Sequence, residues 1–186
     1  MTRPPDTTDD GPLAAGDFGD WLEAFDRALR DGTGMDVPCG HCNACCRSAQ
    51  FVHVEADETP ALARIPDALL FPAPGSPGTM VMGFDEAGRC PMLERGVCSI
   101  YEHRPKACRV YDCRVFAATG LDPAEEGRHA VAARSRRWRF HYRDDAARGR
   151  HQAATRRAAA VRSGAGAPST LTATALIALR DVTDAA

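Results

Sequence analysis

Apolar side chains recur at spacings of three and four in Phe18, Trp21, Leu22, Phe25 and Leu29. That period predicts an amphipathic helix whose aromatic stripe faces a core. Asp17 is placed to cap its start and Gly32 to end it. Residues 51–55 alternate and read as a short strand. Residues 59–70 have helical composition interrupted by Pro66. Residues 71–78 hold three Pro and two Gly and read as a loop. Residues 80–84, a turn over 85–88 and the chain into Cys90 read as a small hairpin. Residues 123–134 predict a helix. Trp138, Phe140 and Tyr142 then alternate with Arg137, Arg139, His141 and Arg143, a strand pattern that places the rings in a core by default. Residues 144–162 are Ala/Arg-rich and helical, 164–168 form a linker, and Ser169 caps a short last helix carrying Leu171, Leu176 and Leu179.

These elements describe a small, irregular α+β domain with short strands, stabilised by metal and followed by a helical, Arg-rich C-terminal region. The organisation read from them is a disordered tail over 1–16 and a cysteine-cluster metal-binding domain over 17–120. An Arg-rich, mainly helical extension over 121–163 follows, then a linker and C-terminal helix over 164–186.

Composition explains why metal enters the picture. Hydrophobic residues make up 44% of the 186-residue chain, but 33 of them are Ala. Leu, Ile, Val and Phe together number only 31, below the roughly 20% at which a chain has enough apolar bulk for a core. Net charge is −2, so the strong charge of a disordered chain is absent. Charge is also unevenly placed: residues 128–162 hold eleven Arg against Asp144 and Asp145. No apolar h-region opens the sequence and no apolar run reaches membrane-spanning length, which predicts a cytoplasmic protein with no membrane segment. Thiols there stay reduced, so eight cysteines point to metal or redox chemistry, with a disulfide framework as the alternative.

The cysteines form two clusters. The first, Cys39, Cys42, Cys45 and Cys46, has the pattern C-x2-C-x2-C-C; the second is Cys90, Cys98, Cys108 and Cys113. A two-residue gap turns two thiolates toward one ion. Eight thiolates suit two four-thiolate Zn2+ sites, and the C-x2-C-x2-C run equally suits an iron–sulfur cluster. Thiolate softness does not separate the two. Adjacent Cys45 and Cys46 point apart and serve two centres more easily than one. Arg47, Arg104 and Arg109 lie beside the cysteines as candidates for offsetting the charge of the centre. His41, His53 and His103 are substitute ligands.

Cys39-x2-Cys42-x2-Cys45-Cys46, Cys90-Pro-Met-Leu93, Gly96-Val-Cys98-Ser-Ile-Tyr101, Arg104-Pro105, Cys108-Arg109 and Cys113 together resemble the YkgJ-like cysteine-cluster family over about residues 37–114. The resemblance implies chelation of zinc or iron by these eight cysteines and supplies no reaction. A related segment of flagellin lysine methylases is associated with an iron–sulfur cluster. Where that family commonly has Phe-Pro before its last cysteine, this chain has Tyr111-Asp112.

Two other classes of function stay open. Arg interleaved with Trp138, Phe140 and Tyr142 is the pattern of a nucleic-acid or acidic-partner module. A C-x2-C pair beside Arg47 is compatible with a thiol redox enzyme, and the methylase likeness with a methyltransferase-associated protein. No Gly-rich turn follows a strand, and no Ser/His/Asp order or carboxylate pair stands out, so the balance lies against an enzyme. The metal centre is then structural, metal-carrying or redox-sensing.

Overall fold

The computed structural model describes residues 11–31, 35, 37 and 42–185. In chain order the elements are β1 (Leu13–Asp17), α1 (Phe18–Asp31), β2 (Val52–Val54), α2 (Thr59–Leu62), β3 (Leu70–Pro72), β4 (Met80–Met82), β5 (Leu93–Glu94) and β6 (Val97–Cys98). They continue with α3 (Lys106–Val110), α4 (Arg114–Thr119), α5 (His129–Ser135), β7 (Trp138–His141), α6 (Asp145–Ser163) and α7 (Leu171–Asp184). Short 3-10 turns join several of them. This is the expected α+β chain with a helical C-terminal region. Among the described residues no helix is long and apolar enough to cross a membrane.

The chain folds as two compact units, Asp36–Tyr111 and Asp10–Met35 with Asp112–Ala186. The first holds both cysteine clusters except Cys113. Its antiparallel sheet has the order β2-β4-β3, so Met80-Val81-Met82 is the central strand. Pro72, which cannot donate to a ladder, sits on edge strand β3. Val54, Ala61, Ile65, Met82, Met92 and Ile100 form the buried cluster, with Cys90 and Cys98 packed against it. Six such residues make a thin core. The hairpin expected over residues 80–90 forms its turn but not its ladder. Asp85 accepts from the backbone N–H of Ala87 and Arg89, both through Oδ1, and its own N–H donates to the Arg89 carbonyl at 2.8 Å. The returning chain pairs instead with the cysteine turn described below.

The second unit is built on α1. Asp17 caps it as predicted, its Oδ1 accepting from Gly19 and Asp20 N–H at 2.9 and 3.1 Å. Burial pushes the Asp17 carboxyl up, but those two N–H groups, the N–H of Arg143 and the Arg143 charge outweigh it and hold it below its usual range. Gly32 and residues 1–10 lie outside the described residues. The rest of the expected tail is not tail-like: Leu13–Asp17 is a strand, parallel to β7 with a bulge between Ala14 and Gly16. Phe18, Trp21 and Phe140 pack together, Phe18 edge-on to Phe140 at 5.3 Å. The β7 aromatics therefore serve a core: Trp138 is 4% exposed.

Helix α6 starts at its Asp144 cap, whose Oδ1 accepts from Ala147 N–H. It buries Ala147, Ala154 and Ala158 completely, and α7 offers Ala175 and Ala178 in the same way. Small side chains let helices in this unit approach closely, so the abundant Ala does structural work that large apolar residues do elsewhere. Thr170, not Ser169, caps α7, and α7 has 14 residues where a short helix was expected. Part of the local excess of Arg is neutralised within the unit. Arg143 pairs with Asp20, Arg157 with Asp181, Arg136 with Asp122 and Arg162 with Glu125.

His151 is held neutral in this core. Its ring stacks on Phe18 at 4.4 Å. Nδ1 accepts from the Tyr142 hydroxyl at 2.8 Å, which leaves Nε2–H to donate to the Ala117 carbonyl at 3.2 Å. Burial lowers its pKa below the ordinary 6.5, partly opposed by that carbonyl. A depressed histidine contributes stability that is whole above 6.5 and lost as pH falls toward the folded value. Unfolding free energy of this unit is therefore expected to drop between pH 7.5 and 5. His151→Gln, which keeps a donor and an acceptor but does not titrate, should flatten that drop. An unchanged pH slope in the variant would remove His151 as its source.

Candidate metal centre

Residues 42–48, which carry Cys42, Cys45 and Cys46, form a tight turn. Ala44 N–H donates to Cys42 Sγ at 3.5 Å, an amide–sulfur bond that folds the C-x2-C segment back on itself. Cys45–Arg47 form a 3-10 turn, closed where Ser48 Oγ donates to the Ala44 carbonyl at 2.8 Å. Cys39 and His41 lie outside the described residues.

Three further segments are fastened to this turn or around it. Cys90 N–H donates to the Cys46 carbonyl at 2.8 Å, and Ala49 N–H to the Gly88 carbonyl at 2.8 Å. These two bonds clamp the chain entering Cys90 against the chain leaving Cys46. Ala49 takes a left-handed φ of 47° to make the clamp. Asn43 Nδ2 donates to the Gly96 carbonyl at 2.9 Å. Gly96 and Arg95 form the two-residue turn of the β5–β6 hairpin, both with positive φ, the mirror-image turn that suits strand twist. That hairpin carries Cys98, packed on the core. Cys108 lies on α3, whose start is anchored by Glu58: its carboxylate accepts from Lys106 N–H and pairs with Arg109 at 3.6 Å.

The structure thus gathers Cys45, Cys46, Cys90, Cys98 and Cys108 from four stretches of chain. The Cys46 thiol lies beside those of Cys45 and Cys90, and its interaction with them brings Cys45 and Cys90 down to about 7 and moves Cys46 up. Burial pushes Cys108 up to about 12, reinforced by the charges of Cys45, Cys90 and Cys98. Burial raises Cys98 as well. The thiols sense one another's charge, so they cannot all ionise together without a cation between them.

All seven described cysteines are free thiols, which removes the disulfide framework for them. Among the described residues, no three Cys, His, Asp or Glu side chains already enclose a point at which an ion is held. The donor chemistry still fits. Thiolate is a ligand for both zinc and iron–sulfur centres.

The arginines divide. The Arg104 guanidinium lies 3.7 Å over the Tyr101 ring and favours the ionised forms of Cys98 and Cys108. Its Nε is buried without a hydrogen-bond partner. Arg109 turns to the Arg104 carbonyl at 2.6 Å and to Glu58. Arg47 is exposed at the end of its turn, His53 is exposed on β2, and His103 is half-buried. Sequence spacing did not reveal Glu58 or Asn43, whose partners lie 48 and 53 residues away.

Cys113 belongs to the second unit. It is buried, and its sulfur accepts from Trp138 Nε1 at 3.2 Å. Beside it, Asp112 accepts from Trp21 Nε1 at 2.9 Å and pairs with Arg114 at 2.8 Å. The Asp112 side chain is fully buried and that of Arg114 is 8% exposed.

Residues 38–128 match the family described as "CxxCxxCC: Putative zinc- or iron-chelating domain". The match takes in all eight cysteines and runs beyond the motif-bearing segment to the start of α5. No curated protein and no solved structure matches the chain.

Proposed function

We propose that the chelating domain at residues 38–128 holds a zinc ion or an iron–sulfur cluster on Cys39, Cys42, Cys45, Cys46, Cys90, Cys98 and Cys108, with Cys113 as the eighth candidate. The observation that carries this reading is the convergence of five free thiols from four separate stretches, close enough to act on one another electrostatically. The bound group would supply the positive charge that lets these sulfurs ionise together. Arg104 supports the ionised state from the Tyr101 side. The clamp between Cys46 and Cys90 and the Glu58 anchor on α3 set the sulfurs in place.

The role that fits best is structural. The cluster lies where a thin apolar core is short of cohesion, and the sulfurs come from four separate stretches of the unit. Free thiols are in keeping with a reducing, cytoplasmic setting.

The test is competition for Zn2+ between the reduced protein and a chromophoric chelator under anaerobic conditions. Cys45→Ser, Cys90→Ser and Cys108→Ser should each weaken binding by about 100-fold or more. Wild-type affinity in all three variants would overturn the reading. Cys113→Ser is measured alongside: a matching loss makes it a ligand, and unchanged affinity assigns it to packing around Trp138.

A further inference from the structure

We propose that Cys46 and Cys90 form an oxidation-sensitive pair, which a peroxide closes into a disulfide in preference to any other pairing among Cys45, Cys46, Cys90, Cys98 and Cys108. Two thiols and one hydrogen peroxide give one disulfide and two waters. One sulfur attacks the peroxide, is oxidised to a sulfenic acid and releases the first water. The other sulfur then attacks it, forming the S–S bond and expelling the second.

The geometry singles out this pair. The Cys90 N–H to Cys46 carbonyl bond of 2.8 Å joins the two residues directly across the chain. A single N–H···O bond of this length keeps the two Cα atoms within roughly 6.7 Å, given the reach from Cα to N on one side and from Cα to the carbonyl oxygen on the other, inside the upper limit of about 6.8 Å for a disulfide. The companion bond from Ala49 to Gly88 at 2.8 Å holds the same two stretches in register. The two thiols are near neighbours as well, each acting on the other. Both residues are partly exposed, so a small oxidant reaches them.

The competing pairs are worse placed. Cys45 also neighbours Cys46, but adjacent residues stand only about 3.8 Å apart at Cα, too close for an ordinary bridge. Cys98 and Cys108 are held on the β5–β6 hairpin and on α3, and neither has a backbone bond to another cysteine among those described.

The backbone clamp needs no metal, so the pairing is a property of the chain itself. Its consequence for a loaded centre rests on the chelation reading: the bridge removes two of the thiols that reading requires, and oxidation would lower metal capacity.

The experiment treats reduced, metal-free full-length protein with stoichiometric hydrogen peroxide, blocks the remaining thiols by alkylation and maps linkages by tryptic digestion and tandem mass spectrometry. Cleavage after Arg89 and Arg95 isolates Cys90 in a short peptide. The expected product links that peptide to the one ending at Arg47, with fragmentation placing the bond at Cys46. The link should be lost in Cys46→Ser and retained in Cys98→Ser. Because the mapping is done on the wild-type chain, it does not depend on either variant folding. A Cys90 that remains alkylatable while bridges form elsewhere, or a bond at Cys45, overturns the proposal. Metal content of the unoxidised protein, measured separately, decides the chelation reading, so the two fail independently.

Discussion

Removing the bound ion from the reduced protein should open the first unit rather than merely empty it. Its buried cluster has six residues, and its sheet strands are three residues long. A structural zinc contributes on the order of 10 kcal/mol of folding free energy, as much as the entire net stability of an ordinary domain. Hydrogen exchange is the direct readout. A membrane-permeant chelator of zinc and iron should lower amide protection in β2, β4 and α3 by roughly three orders of magnitude or more. Restoring the ion should restore it. Protection that is the same with and without metal would show that the apolar core and the backbone clamp suffice alone.

The second large effect is expected at Asp112. Its carboxylate, with no exposed surface, accepts from Trp21 and pairs with Arg114, which also donates to the Ala15 carbonyl at 3.1 Å. Asp112→Ala leaves a buried guanidinium without its counter-charge and the Trp21 N–H without its acceptor. Breaking one side of a buried pair costs about 3–5 kcal/mol. Denaturant unfolding followed by tryptophan fluorescence measures it, because both tryptophans lie in this unit. Asp112→Leu with Arg114→Met should recover most of the loss, since it removes the orphaned charge together with its partner. A single variant that loses under 1 kcal/mol would mean that the pair contributes little to holding the unit.

Asp112 also marks where reading the sequence stops. Its Arg114 partner is two residues away, but its Trp21 partner lies 91 residues upstream. Helix α1 was legible because its stripe repeats five times within one element and its cap is adjacent. The cysteine cluster was legible because its closely spaced thiols stand out in the sequence itself. Strand β1 was not, since Leu13, Ala14 and Ala15 carry no alternation and their partner begins at Trp138. The Arg-rich stretch looked like a field of free charge in sequence. In three dimensions its guanidinium groups find carboxylates on α1, on α7 and around residue 125, contacts between distant positions that local patterning cannot show. Likewise, the turn over 85–88 was readable from its residues, whereas the choice of Cys46 over β4 as backbone partner of the returning chain was not.

The central claim is that the clustered thiols grip an inorganic centre. Elemental analysis of protein purified and kept without air, read together with its visible spectrum, tests it most directly. The account predicts at least one zinc per chain in a colourless sample, or stoichiometric iron and sulfide in a brown one, and loss of that metal in Cys90→Ser. A wild-type protein that folds, carries neither element and leaves every cysteine freely reactive in the presence of added zinc would contradict it.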